Sequence, residues 1–81
     1  MYKLYVLKSL LAEKSYVGIT VDLERRLNKH NSGRTTYTKR YLPWKVVYTE
    51  DVANLNEARK REKYMKSAAG RKFLRNFVFK D

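Results

Sequence analysis

Hydrophobic positions crowd the start of the chain. The stretch YKLYVLK, residues 2–8, is aromatic or aliphatic at most positions and predicts a β-strand. SLLAEK follows as a short connection, and SYVGIT, residues 15–20, predicts a second strand, so the two form a hairpin. After Thr20 the period changes. Leu23, Leu27 and His30 recur at helical spacing, predicting a helix over residues 22–32. Thr20 or Asp22 can cap its start, and Gly33 suits a left-handed stop. RTTYTKRYLP, residues 34–43, is a basic loop carrying Thr and Tyr, and WKVVYTE, residues 44–50, predicts a third strand. Asn54 with Glu57 three residues later resembles a capping box, opening a helix that runs to about Ser67. Gly70 is expected to break the chain, and RKFLRNFVF to form a final short helix or turn that packs Phe73, Leu74 and Phe77. The order β-β-α-β-α-α is an α+β arrangement with a small sheet. Without linker, repeat or low-complexity segment, residues 1–81 read as one domain.

Two helices carry charge where apolar residues are expected. With Leu23 at 0°, Leu27 falls near roughly 40°, His30 near roughly −20° and Arg26 near roughly −60°, while Arg25 falls near roughly 200°. Arg25 therefore faces solvent, and Arg26 and His30 border the stripe that packs on the sheet. With Ala58 at 0°, Leu55 lies near roughly 60°, Met65 near roughly −20° and Glu62 near roughly 40°. Glu62 is thus inside an apolar stripe, with Arg59, Lys60 and Lys63 away from it. A carboxylate there costs several kcal/mol unless it is paired or binds a cation. Geometry alone leaves two accounts: an internal Arg26–Glu62 ion pair, or a site where Glu62 binds a metal and Arg26 faces a phosphate.

Composition narrows the function classes. The chain has 81 residues and no cysteine, which excludes a disulfide and a cysteine-based zinc site. One histidine excludes a multi-histidine metal site. No apolar run approaches the roughly 20 residues a membrane helix needs, and the start lacks a signal-peptide pattern. A soluble, cytoplasmic protein without membrane contact is expected. Nineteen Lys and Arg against eight Asp and Glu leave a net charge of +11, the footprint of a protein with a polyanionic partner, above all nucleic acid.

Tyr5 sits mid-strand, and Tyr16 shares one strand face with Gly18, where the missing side chain leaves a cleared patch. A hydroxyl beside that patch, flanked by an arginine, a histidine and a glutamate, has the makings of a phosphodiester site. These residues resemble the GIY-YIG nuclease family. The second signature segment is YVG, Tyr16-Val17-Gly18; Arg26 follows eight residues after the glycine; and EARKREKYMKS places the family's glutamate at Glu62. TKRYLPWKVVYTED resembles the helix-to-strand segment of small stand-alone members. The first signature segment departs: it is KLY, Lys3-Leu4-Tyr5, keeping only the tyrosine.

The resemblance implies a three-stranded antiparallel sheet flanked by helices and a metal-dependent DNA endonuclease, structure-selective or non-specific, acting in repair or recombination. It implies one divalent metal, Mg²⁺ or Mn²⁺, at Glu62. Arg26 would stabilise the scissile phosphate, Tyr16 would help activate the attacking water with Tyr5 beside it, and His30 would stand near the nucleophile or leaving group. His30 is expected to titrate near neutrality and is a rival base or acid. Gly18, Lys29, Arg34, Lys39, Arg40, Arg59, Lys60 and Arg61 would meet nucleic acid, the cations holding backbone phosphates. The expected partner is DNA, branched or damaged forms included, with RNA and a specificity-supplying protein partner left open. The alternative is a non-catalytic nucleic-acid-binding module or accessory subunit that kept the fold.

Overall fold

The computed structural model describes residues 1–33, 35 and 37–78, apart from the side chain of Phe77. Strand β1 (Tyr2–Ser9) is central in a three-stranded antiparallel sheet of order β2-β1-β3, with β2 at Ser15–Thr20 and β3 at Trp44–Val52. Helix α1 (Leu23–Asn31) follows β2, a short 3-10 helix (Thr38–Tyr41) precedes β3, and α2 (Leu55–Lys66) and α3 (Ala68–Phe77) close the chain. The expected order and sheet are those found, and β3 runs two residues beyond Glu50.

The central strand is buried on both faces because each face has its own cover. Side chains alternate along a strand, so Leu4 and Val6 enter one core with Val17, Val52, Ala58, Met65 and Leu74, under α2 and α3. Tyr5 and Leu7 enter the other with Trp44, where Leu23, Leu27 and Tyr41 pack. All four β1 side chains are fully buried. A continuous apolar run, rather than an alternating one, is what such a strand requires.

Local chemistry sets the helix ends. The Asp22 side chain accepts from the Arg25 amide at 3.1 Å, and Gly33 takes the left-handed conformation after α1. Asn54 caps α2 by accepting from the Glu57 amide at 2.9 Å, while the Glu57 carboxylate turns to Lys60 at 3.5 Å instead of completing the box. The expectation for Gly70 needs correction. The chain breaks at Ser67, which is extended and caps α3 by accepting from the Gly70 amide. Gly70 lies inside the first turn of α3, where a Cβ would strike the Tyr64 carbonyl and the Met65 backbone. Glycine there lets α3 close down on the end of α2.

Candidate active site

Strand β1 presents Tyr5 on the face covered by α1, directly opposite Gly18 of β2. The ring fills the space a side chain at Gly18 would occupy: an added Cβ would stand 2.5 Å from the Tyr5 hydroxyl and 3.0 Å from the Tyr16 ring. Gly18 is buried, so the patch expected to stay open for nucleic acid is filled by the protein's own tyrosine. The glycine is a condition for the site rather than a contact of it.

Helix α1 then brings two side chains to Tyr5, as its wheel requires. Arg26 Nε donates to the Tyr5 hydroxyl at 3.2 Å. His30, 0% exposed, has its Nε2 3.0 Å from the same hydroxyl. The Tyr16 ring packs on the imidazole, with centroids 4.7 Å apart, and lies 6.2 Å from the Tyr5 ring. Two tyrosines, an arginine and a histidine thus converge where two strands and one helix meet.

One partner carries no signal in the sequence. Thr38 Oγ1 lies 3.0 Å from His30 Nδ1 and is itself fully buried. The 3-10 helix that carries Thr38 is bolted to β3, since Trp44 Nε1 donates to the Thr38 carbonyl at 2.7 Å. Asn31 ties the end of α1 to the same tryptophan, accepting from its amide at 2.7 Å and donating to its carbonyl at 3.1 Å. The Tyr5 hydroxyl accepts from Arg26 Nε and meets no other acceptor for its own proton among the described residues, so it donates to His30 Nε2, and His30 Nδ1–H donates to Thr38 Oγ1.

Protonation follows burial. Loss of water raises the Tyr5 phenol above its usual value, opposed by the Arg26 bond, and the Glu62 charge raises it further. Tyr5 is a neutral phenol at pH 7. His30 is lowered to about 4 by burial and then by the charges of Arg26 and Lys29. The expectation that His30 titrates near neutrality is therefore corrected: it is a neutral imidazole. The bond to Tyr5 and the nearby Tyr16 hydroxyl hold Arg26 firmly charged.

The internal Arg26–Glu62 ion pair is not formed. Arg26 bonds Tyr5, and Glu62 pairs with Lys66 one turn along α2 at 3.3 Å. The Glu62 carboxylate is half-buried, its side chain 27% exposed, and close enough for its charge to act on Tyr5. Among the described residues no group of three His, Asp or Glu side chains gathers to hold a metal. One hard carboxylate suits a cation that keeps most of its waters, as Mg²⁺ does, and does not suit a closed structural zinc site.

The expected phosphate-binding cations divide. Lys29 on α1, Lys39 and Arg40 on the 3-10 helix, and Arg59 and Lys60 on α2 are exposed. Arg34 lies outside the described residues. Arg61 leaves the set: Glu50 of β3 takes its Nε at 2.9 Å and Nη2 at 2.8 Å.

A family model described as the GIY-YIG catalytic domain matches residues 1–76. The chain belongs to that family of nucleases. The relatives it resembles are called UPF0213 proteins. One from Syntrophus aciditrophicus is 42% identical over 69 residues, covering 82% of this chain and 79% of that protein. One from Clostridium perfringens is 42% identical over 67 residues, covering 82% of this chain and 71% of that protein. In the Streptococcus pneumoniae relative the 42% identity covers 63% of this chain and 52% of that protein, about half its length. A UPF0213 protein from Bacillus halodurans, solved by solution NMR, has a TM-score of 0.56 and 29% identity, covering 93% of this chain and 82% of that one.

Proposed function

We propose that the protein is a metal-dependent endonuclease that hydrolyses phosphodiester bonds in DNA. The observation that carries this reading is Arg26. It is held by Nε on a buried tyrosine hydroxyl, beside the Tyr16 hydroxyl, and a guanidinium fixed in this way has a defined direction in which to meet an anion. It also lines a groove of about 680 Å³ with Asp22, Arg25, Asn28 and Lys29 along α1. Phosphodiester hydrolysis builds negative charge on the phosphoryl oxygens, and a fixed guanidinium placed there lowers the barrier by about 3 kcal/mol. Arginine serves because it stays charged and donates two parallel bonds.

Glu62 would hold the divalent cation, which when bound supplies further charge neutralisation on the scissile phosphate. The remaining steps belong to the chain. Tyr16, half-buried beside the imidazole, stands where a hydroxyl can receive a hydrogen bond from the attacking water and orient it. Tyr5 fixes Arg26 and, through His30 and Thr38, passes hydrogen-bond polarity inward. Neutral His30 Nε2 accepts a hydrogen bond from the Tyr5 hydroxyl and, carrying no charge, does not compete with Arg26 for the phosphate. Exposed cations such as Lys29, Lys39, Arg40, Arg59 and Lys60 hold flanking phosphates without reading sequence.

The test is nicking of supercoiled plasmid and cutting of a panel of branched DNAs in Mg²⁺ or Mn²⁺ against EDTA. Wild type, Glu62→Ala and Arg26→Ala are compared. Metal-dependent cleavage lost in both variants is expected. Absence of cleavage with salt-sensitive binding intact in all three would make the protein a nucleic-acid-binding module.

A further inference from the structure

On the far side of Tyr16 the open edge of β2 borders a second groove, of about 410 Å³. That size falls within the roughly 300–1,000 Å³ of sites that hold small ligands. Val17, Met65 and Leu74 make an apolar floor, Tyr16 and Tyr37 contribute aromatic rings, and Lys66 and Arg71 add two cations. Among the described residues no carboxylate lines it. Tyr37 stands out among the rings. It is 44% exposed, yet its ring is supported by Tyr16 at 6.1 Å, Tyr41 at 5.6 Å and Trp44 at 6.3 Å between centroids. A large aromatic ring packed against three others, half open to solvent, beside the exposed Arg71, is a platform for a flat ligand that carries negative charge.

We propose that this groove is a subsite for an unpaired nucleobase next to the scissile phosphate, the base stacking on Tyr37 and its phosphate meeting Arg71. The inference rests on the nuclease reading and names the substrate class within it. Continuity is the first argument, because Tyr16 lines the groove and also touches His30 in the reacting centre. Chemistry is the second. A base inside a duplex has both faces covered by its neighbours, so only an unpaired or extruded one can offer a face to a protein ring. The cationic groove on α1, with Arg25 and Lys29, suits phosphates alone. The two grooves differ as the two sides of a junction between paired and unpaired DNA differ.

Binding is measured in EDTA, so that no chemistry enters, with two oligonucleotide duplexes. One carries a single unpaired 2-aminopurine, and the other the same base paired with thymine. Wild type is expected to bind the unpaired form about tenfold more tightly, the effect of one base–aromatic stack, and to quench its fluorescence. Tyr37→Phe keeps the ring and is expected to keep both effects. Tyr37→Ala, and separately the exposed Arg71→Ala, are expected to bring the preference within twofold while leaving binding of the paired duplex unchanged. Equal affinity for both duplexes in wild type, or a preference that survives both alanine variants, overturns the subsite. Metal-dependent cleavage of both duplexes at one rate, unmoved by Tyr37→Ala, removes the subsite and leaves the nuclease standing. Quenching and preference without cleavage in Mg²⁺ or Mn²⁺ uphold the subsite and remove the nuclease.

Discussion

Gly18 and Tyr5 face one another across β2 and β1, and the hydroxyl of the tyrosine lies 2.5 Å from where a Cβ on the glycine would be. The backbones of both are paired in the sheet, so the clash falls on the buried Tyr5 ring. Gly18→Ala is expected to drive the Tyr5 ring off Arg26 and His30, destabilising the fold by about 1–3 kcal/mol as overpacking does. Cleavage should fall more than stability does. Urea unfolding with wild-type midpoint would show that the ring has room to shift.

The buried histidine predicts an acid-side loss of stability. Its folded pKa, about 4, lies below the unfolded value of about 6.5. The unfolded chain therefore takes up a proton first as pH falls. The stabilisation is fully present above about pH 6.5 and is lost down to about pH 4, a change of about 3 kcal/mol. Urea midpoints across that range should slope in wild type and flatten in His30→Gln. Parallel slopes in the two proteins would show that His30 is solvated.

Thr38→Val keeps the shape of the side chain and removes the acceptor for His30 Nδ1–H. An unpaired buried N–H costs about 1–3 kcal/mol. Freed of that partner, the imidazole can place its proton on Nε2 and reverse the bond to Tyr5. We expect kcat to fall with little change in KM, and Thr38→Ser to restore it. Equal activity in Val and Ser variants would reduce Thr38 to packing.

The Arg61–Glu50 pair is expected to matter for folding alone. Glu50 accepts two bonds from Arg61 and a third from the Tyr48 hydroxyl at 2.5 Å. Arg61 chiefly holds its carboxyl below the usual range. A depressed pKa gives stability that is present above about pH 4.3 and lost as the pH falls toward the folded value. Glu50→Gln should cost about 1–3 kcal/mol at neutral pH, read from thermal unfolding, with the cleavage rate of the folded fraction unchanged. A rate loss exceeding the folding loss would contradict this.

DNA affinity should fall steeply with salt, since each neutralised phosphate contributes about −0.9 to the slope of log K against log salt. Lys29→Ala and Lys39→Ala are each expected to flatten that slope by about one unit. Arg61→Ala, its side chain engaged by Glu50, should leave the slope as it is. Fluorescence anisotropy between low and moderate salt measures all three.

Much of the site was legible because it lies on regular elements. Helical spacing alone turns Arg26 and His30 toward the sheet and Arg25 away from it, and the alternation of a strand puts Tyr16 and Gly18 on one face. Caps were legible at Asp22 and Asn54 because their bonds reach only three residues ahead. What escaped depends on contacts between elements. Thr38 sits in a loop without period, and its value comes from a histidine on another element. The choice between Arg26 and Lys66 as partner of Glu62 is made by tertiary distance. Arg61 looked like one of a run of surface cations until β3 brought Glu50 beside it. Gly70 resembled a breaker because glycine often is one, and only the approach of α3 to the end of α2 shows that it is a spacer.

Trp44 ends the irregular segment that begins after α1, and three hydrogen bonds fasten it to Asn31 and to the Thr38 carbonyl. Thr38 is thereby placed from both sides, by the Trp44 ring beyond it and by the Thr35 carbonyl before it. The imidazole therefore depends on the setting of β3 as well as on that of its own helix, and a disturbance at Trp44 would reach the reacting centre without touching any of its residues.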